Sequence, residues 1–338
     1  MKANVSGNGT RVGIAGVGVY VPERVLTNAE LERMVDTSDE WITDRTGIKE
    51  RRIAAEDEAA SDMAVPAARQ ALESAGVDAG ELDMVIVATS TPDMLFPATA
   101  TVVAQQLGAN RAAAYDLLAA CSGFIYGLSQ AYGSVSSGVS RKVLVIGSEA
   151  LSKIVNWEDR GTCILFGDGA GAVVVEAVGG GGFLGFELGA DGSGGGDLCI
   201  AAGGSRNPTT EQTVADELHL IQMRGPEVFR FATRVMVSSA AGLLEECGAA
   251  VDDVDLYVPH QANKRIIDHA ARNLGLPPEK IFLNIHRYGN TSAASIPIAL
   301  AEAVAEGALT AGKRVLMTAV GGGFTWGSVY MTWSEGRA

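Results

Sequence analysis

The chain repeats itself, and no other feature limits its possible folds as tightly. Residues 72–89 read LESAGVDAGELDMVIVAT and residues 244–260 read LEECGAAVDDVDLYVPH. Each has Leu-Glu, a small residue before Gly, six residues, then Asp and an apolar run. A helix closed by a C-cap glycine, a short loop and a strand fit that order. Each unit is followed by a helical segment ending in Leu-Gly, VVAQQLG and HAARNLG. Further on, the same distance separates Cys121 from Gly138 in CSGFIYGLSQAYGSVSSG and Asn290 from Gly307 in NTSAASIPIALAEAVAEG. A basic pair and a strand come next in both, RKVLVIGSEA and KRVLMTAVGGG, and each half closes on a glycine-flanked strand. Agreement in order over several elements indicates duplication, where agreement at a single spacing would not. The expected organisation is two α/β halves, 1–178 and 179–338, with sheets covered by helices.

Such folds place their sites beyond the carboxyl ends of strands. Three residues fall there. Phe124, Leu128, Tyr132 and Val135 recur at helical spacing, so Cys121 stands where a buried helix begins. His260 follows the strand DLYVP and precedes the helical ANKRIIDHAARNLG, while Asn290 is expected in Cys121's place in the second half. A pseudo-twofold relation between the halves would bring the two helix starts together. Free cysteine is often merely packed in a core. At a helix N-terminus beside an imidazole its pKa would instead fall, making it a nucleophile for hydrolysis, amide transfer or acyl-thioester chemistry. Asn290 could donate to an enolate oxygen or orient the histidine. The run GGGFTWG can offer backbone N–H groups to an oxyanion, or simply turn the chain before its last strand.

Composition excludes several classes. A net charge of −14 argues against nucleic acid as a bulk partner. The first residues lack the apolar core of a signal peptide, and the most apolar stretch, CILFGDGAGAVVVEAV, carries Asp168. Membrane spans are therefore not expected, and the cytoplasm is the expected compartment. Cys121, Cys163, Cys199 and Cys247 are scattered without CxxC spacing, and the histidines match no ligand motif, so no metal site is expected. The glycine spacing of GIAGVGVYVP is wrong for a dinucleotide fingerprint.

AACSGF, VPHQANKRI, RYGNTSAAS and GGGFTWGS occur in that order, with DTSDEWITDRTGIKERR before them and EDRGTCILFGDGAGA between. Together they resemble the β-ketoacyl-acyl-carrier-protein synthase III family of the thiolase superfamily, along essentially the whole chain. The resemblance implies a thiolase-like five-layered αβαβα fold with duplicated halves, and a homodimer. It implies decarboxylative condensation of an acyl-CoA primer with malonyl-acyl carrier protein, giving 3-ketoacyl-carrier protein, CoA and carbon dioxide. Cys121 would hold the acyl group. His260 and Asn290 would promote decarboxylation and stabilise the enolate, and the N–H groups of Cys121 and Gly322 would form the oxyanion hole. CoA, a substrate and not a cofactor, would meet Thr37, Trp41, Arg45, Arg160, Asn263 and Arg265. The acidic carrier protein would meet Arg230, Lys264, Arg265 and Arg272, and Phe96 and Val320 would border the acyl pocket, Phe96 from across the dimer. An acyltransferase or condensing enzyme of secondary metabolism is the alternative. A thiolase would need a second reactive cysteine near the C-terminus, and none follows Cys247.

Overall fold

The computed structural model describes residues 1–5 and 9–334; residues 6–8 of the first expected half and 335–338 of the second lie outside the described residues. Two five-stranded mixed sheets form its frame. The first has the order Val12–Tyr20, Gly169–Ala177, Lys142–Glu149, Met84–Ala88, Ala113–Leu117, and the second Lys2–Asn4, Gly182–Ala190, Thr325–Thr332, Arg314–Gly321, Leu256–Pro259. Four strands of one sheet thus have counterparts in the other, in the same spatial order. The fifth counterpart is reduced to a single parallel bridge between Tyr257 and Ile281. Strand Lys2–Asn4 pairs antiparallel with Gly182–Ala190 in the second sheet. It therefore lies outside the half to which the division at 178 assigns it.

Alternation along the strands creates the layers. Val143 and Val145 face inward, where Phe124, Ile125 and Leu128 of helix Gly123–Ser136 and Ile296 and Leu300 of helix Ser295–Ala305 fill the space between the sheets. Leu144 and Ile146, their sequence neighbours, face the opposite side and pack against helix Ala60–Ala75. In the second sheet, Val315 and Met317 face inward, whereas Leu316 and Val320 face helices Gly225–Glu246 and Lys264–Leu274. Helix, sheet, paired helices, sheet, helix is the resulting sequence of layers. Phe124, Ile125 and Leu128 are fully buried, each contributing roughly 1.5–3 kcal/mol by leaving water.

The two central helices begin alike, which fixes the site. Before each comes a one-turn 3₁₀ segment, Ala120–Ser122 and Ser292–Ala294, and its first residue is left-handed, Ala120 at φ 46° and Ser292 at φ 48°. The two turns touch. By this criterion Cys121 corresponds to Ala293, and the expected equivalence with Asn290 is off by three residues. Helix Ser295–Ala305 is shorter than Gly123–Ser136, so counting back from the closing glycines overshoots the second helix start. Asn290 lies just ahead of the turn instead, in a parallel bridge with Phe166.

Candidate active site

Cys121, His260 and Asn290 line one cavity of about 500 Å³. Each is held by a different kind of backbone. Cys121 sits on the strained turn, 8% exposed, with Gly321 packed so closely that a side chain there would approach Cys121 N at 2.8 Å. His260 follows strand Leu256–Pro259, and its N–H bonds Thr318 O of the neighbouring strand at 2.8 Å. Asn290 is fixed by two backbone bonds, Asn290 N–H to Leu165 O at 2.8 Å and Gly167 N–H to Asn290 O at 3.0 Å.

Side-chain bonds set the direction of each donor. Asn290 Oδ1 accepts the Ser292 N–H at 2.8 Å, which leaves its NH₂ group for the cavity. His260 Nδ1 lies 2.6 Å from Ser295 Oγ, and that oxygen accepts the Gln261 N–H at 3.4 Å. The serine proton is then free to go to Nδ1, so we assign the His260 proton to Nε2, the remaining ring nitrogen. His260 and Asn290 thereby present two neutral donors to one space.

Burial dominates the electrostatics. It lowers the His260 pKa to about 3, so the imidazole is neutral at ordinary pH. It also raises the Cys121 thiol to about 12, against a lowering by the Ser292 hydroxyl. Burial thus opposes the lowering expected of a cysteine at a helix start. The histidine carries a stability consequence. Its folded pKa is depressed, so its contribution is complete above the unfolded value near 6.5 and is lost as pH falls from there toward 3. Each unit of pH in that window should cost up to about 1.4 kcal/mol. The difference in unfolding free energy between the wild-type chain and His260→Gln should shrink on acidification; a difference independent of pH would contradict the burial of a neutral ring.

A second cavity of about 490 Å³ shares Cys121 with the first and is walled by Leu118, Leu151, Ile154, Leu198 and Ile221. Gly322 borders it, near the cysteine. Here the chain passes Gly323 at φ 136°, a conformation glycine adopts readily. Val320, expected at an acyl pocket, instead lines the first cavity, and Phe96 lines neither. Phe96 is 85% exposed, and its neighbour Leu95 and Leu118 are exposed as well, at 83% and 77%.

Of the residues expected to meet CoA, Trp41, Arg45, Asn263 and Arg265 line the first cavity. Arg45 and Arg160 both lie over the Trp41 ring, at 4.8 and 5.1 Å from its centroid. Arg160 also donates to Asp36 O at 2.7 Å, and the buried Thr37 Oγ1 has no hydrogen-bond partner. Asn263 caps helix Lys264–Leu274 by accepting the Arg265 N–H at 2.8 Å. The basic surface is partly neutralised: Lys264 pairs with Asp268 and Arg230 with Glu227, both at 2.7 Å. Arg272 remains exposed, with its Nε on Asp268 O. Among the described residues no cluster of side chains is suited to a metal ion, and no helix is long and apolar enough to cross a membrane.

Sequence reasoning missed Ser295, Ser292 and Glu149. Ser295 holds the histidine, and its only sequence signal was a third hydroxyl residue in NTSAAS. Glu149 closes a strand whose centre, Val143–Ile146, is apolar, and it is buried where a charge is unexpected.

Comparison with known proteins follows the same lines. The family model for 3-oxoacyl-[acyl-carrier-protein] synthase III matches residues 115–192, and the model of its C-terminal part matches 244–333. The β-ketoacyl-[acyl-carrier-protein] synthase III of Desulfitobacterium hafniense (strain DSM 10664 / DCB-2) is 54% identical over 325 residues, 96% of this chain and 98% of that protein. The crystal structure of 3-oxoacyl-[acyl-carrier-protein] synthase III from Aquifex aeolicus VF5 superposes with a TM-score of 0.89 at 49% identity, covering 96% of this chain and all of that one (100%). The priming β-ketosynthase of the R1128 polyketide biosynthetic pathway also superposes at 0.89, with 38% identity, covering 98% and 99% of the two chains.

Proposed function

This chain belongs to the 3-oxoacyl-[acyl-carrier-protein] synthase III family, a condensing acyltransferase of fatty-acid biosynthesis, and on that premise we propose how its residues divide the reaction. The observation that carries the reading is that one cysteine borders two cavities, with a neutral His-Asn donor pair in only the first. An acyl-CoA enters the first cavity. The Cys121 sulfur attacks the thioester carbonyl, the C–S bond to CoA breaks, and the acyl chain lies in the apolar second cavity. Cys121 N–H and Gly322 N–H hold the oxyanion of this step.

Malonyl-acyl carrier protein then brings its thioester arm into the space CoA has left. Loss of carbon dioxide puts an electron pair into the thioester, and the resulting enolate oxygen is stabilised by His260 Nε2–H and the Asn290 NH₂. Neutral donors suit this step, because a neutral imidazole lends its proton without competing for it. The enolate carbon attacks the acyl-cysteine carbonyl, Cys121 leaves as thiolate, and 3-ketoacyl-carrier protein departs. The test is to supply acyl-CoA and malonyl-carrier protein together and measure 3-ketoacyl-carrier protein and carbon dioxide. Formation of the two in equal amounts supports the reading, and acyl transfer without carbon dioxide contradicts it. Identity to curated synthase III chains exceeds that to the polyketide ketosynthase, so the secondary-metabolic alternative is not favoured.

Two surfaces serve the substrates. Trp41 is the platform for the adenine of CoA, with Arg45 and Arg160 on its ring in place of the base and available for phosphates. Trp41→Ala should raise KM for acyl-CoA about tenfold, the equivalent of about 1.4 kcal/mol, with carrier-protein use unchanged. Arg272→Glu should do the reverse, weakening carrier-protein use up to about fivefold at low salt, as expected for one exposed charge contact. Equal effects of either variant on both substrates would contradict the assignment. Exposed Leu118 at the second cavity, with Leu95 and Phe96 exposed as well, supports a homodimer in which a second copy covers apolar surface. A monomeric mass by light scattering would oppose that.

A further inference from the structure

Gln261 follows His260 directly, and its side chain is buried. Every hydrogen-bonding position of its amide is used. Nε2 donates to Pro259 O at 2.8 Å and to Phe282 O at 3.3 Å. Oε1 accepts the Asn284 and Ile285 N–H groups, both at 3.2 Å. Two carbonyls on one side and two N–H groups on the other leave a single orientation for the amide. Asn284 and Ile285 open the one-turn helix Ile285–Tyr288, and only Gly289 separates that helix from Asn290. One side chain thus joins the backbone around His260 to the segment that carries Asn290.

The central helix Ser295–Ala305 makes the same connection by a second route. Its first residue, Ser295, holds His260 Nδ1 at 2.6 Å. Glu302 stands two turns further along the same face, and it grips the Asn290 segment at both ends of its short helix. Glu302 Oε2 accepts the Asn284 side-chain NH₂ at 2.8 Å, and Oε1 accepts the Tyr288 hydroxyl at 2.5 Å. Arg287 Nη2 lies 3.2 Å from the same Oε1. The bonds close into a ring that runs from His260 through Ser295, Glu302, Asn284 and Gln261 back to His260. Gln261, Asn284, Tyr288 and Glu302 line neither cavity. Among the described residues none of them bonds to the Cys121 turn, Ala120–Ser122.

We propose that Gln261 and Glu302 are positioning residues that set the separation of the His260 and Asn290 donors, and so govern decarboxylation while leaving acyl loading alone. This rests on the reading of His260 and Asn290 as the pair that stabilises the enolate. Both donors must reach one oxygen, and they come from segments far apart in the chain. A displacement of about 1 Å in such a site costs up to about 10²-fold in rate. Strand Leu256–Pro259 fixes the backbone of His260, and the ring fixes its distance from Asn290. No bond is made or broken at Gln261 or Glu302, and no proton passes through them.

The test reads the two half-reactions separately on the whole chain: loading of Cys121 from acyl-CoA by intact mass, and carbon dioxide release from malonyl-carrier protein. Gln261→Leu keeps the approximate volume and removes all four bonds. Its kcat for carbon dioxide release should fall about 10²-fold, with KM for malonyl-carrier protein and the loading rate close to wild type. Gln261→Glu should recover most of that loss at about pH 6, where burial keeps the carboxyl protonated. It then gives one O–H to a carbonyl and still accepts the two N–H groups. Circular dichroism checks that each variant is folded. If Gln261→Leu fails to fold, Tyr288→Phe decides, since it removes one bond to Glu302 and should lower carbon dioxide release alone by about fivefold. Carbon dioxide release at the wild-type rate in the deciding variant overturns the proposal. So does an equal loss of loading and release, which would mark a merely structural role, or a Gln261→Glu chain as defective as Gln261→Leu. Carbon dioxide release by the wild-type chain, lost in Asn290→Ala, keeps the underlying reading even if the positioning role fails; release that survives in Asn290→Ala overturns both.

Discussion

Cys121→Ala should fold normally and take no acyl group from acyl-CoA. The wild-type chain should gain the mass of one acyl group within the mixing time, with no malonyl substrate present. The expectation follows from geometry, since Cys121 is the cysteine that borders both cavities. Cys199 also borders the second cavity, but not the one that holds His260 and Asn290. Removing a nucleophile from a catalytic unit costs on the order of 10⁶ in rate in a serine protease, and condensation should fall on that scale. Decarboxylation of malonyl-carrier protein should persist in part, because the His-Asn donors do not depend on the sulfur. Acyl adducts of equal amount on the alanine variant would place the acyl group elsewhere.

Asn290→Ala should separate the half-reactions from the other side. Loading of Cys121 should remain close to normal, because the proposed oxyanion donors of that step are the backbone N–H groups of Cys121 and Gly322. Carbon dioxide release should fall by about 10²–10³, the loss associated with one positioned oxyanion donor in a comparable case. The Ser292 N–H on Oδ1 is what points the NH₂ inward, so Asn290→Asp should be as defective as alanine. It would keep the acceptor and replace the donor with a carboxylate oxygen. Carbon dioxide release at the wild-type rate from a folded Asn290→Ala chain would remove Asn290 from the mechanism.

Much of this was legible in the amino-acid order because duplication leaves its mark in spacing. The repeated Leu-Glu…Gly…Asp units predicted matching helix–strand elements, and the two sheets do repeat their strand order. Cys121, His260 and Asn290 stood out because each interrupts an apolar element at its end, where a site is expected. What spacing could not give was exact equivalence. Helix Ser295–Ala305 starts on a turn three residues later than glycine counting suggests, and φ at Ala120 and Ser292 is needed to see it. Nor could it give the electrostatics. A helix start lowers a thiol pKa, but Cys121 is buried, and that burial pushes the thiol the other way. Glu149, Ser292 and Ser295 were illegible for a related reason. Each acts through a partner far away in the chain, and tertiary packing alone brings them together. The neutralising partners of the basic residues, Asp268 and Glu227, lie on the same helices as Lys264 and Arg230 and were passed over.

The central claim is that Cys121 holds the acyl group while His260 and Asn290 generate the carbanion that removes it. Rapid-quench intact-mass measurement on Asn290→Ala tests this most directly, with the chain first loaded from acyl-CoA and then mixed with malonyl-carrier protein. The account predicts that the adduct forms on Cys121 at the wild-type rate and then persists, its discharge slowed about 10²–10³-fold together with carbon dioxide release. An adduct that discharges into 3-ketoacyl-carrier protein as fast as in the wild-type chain would contradict it.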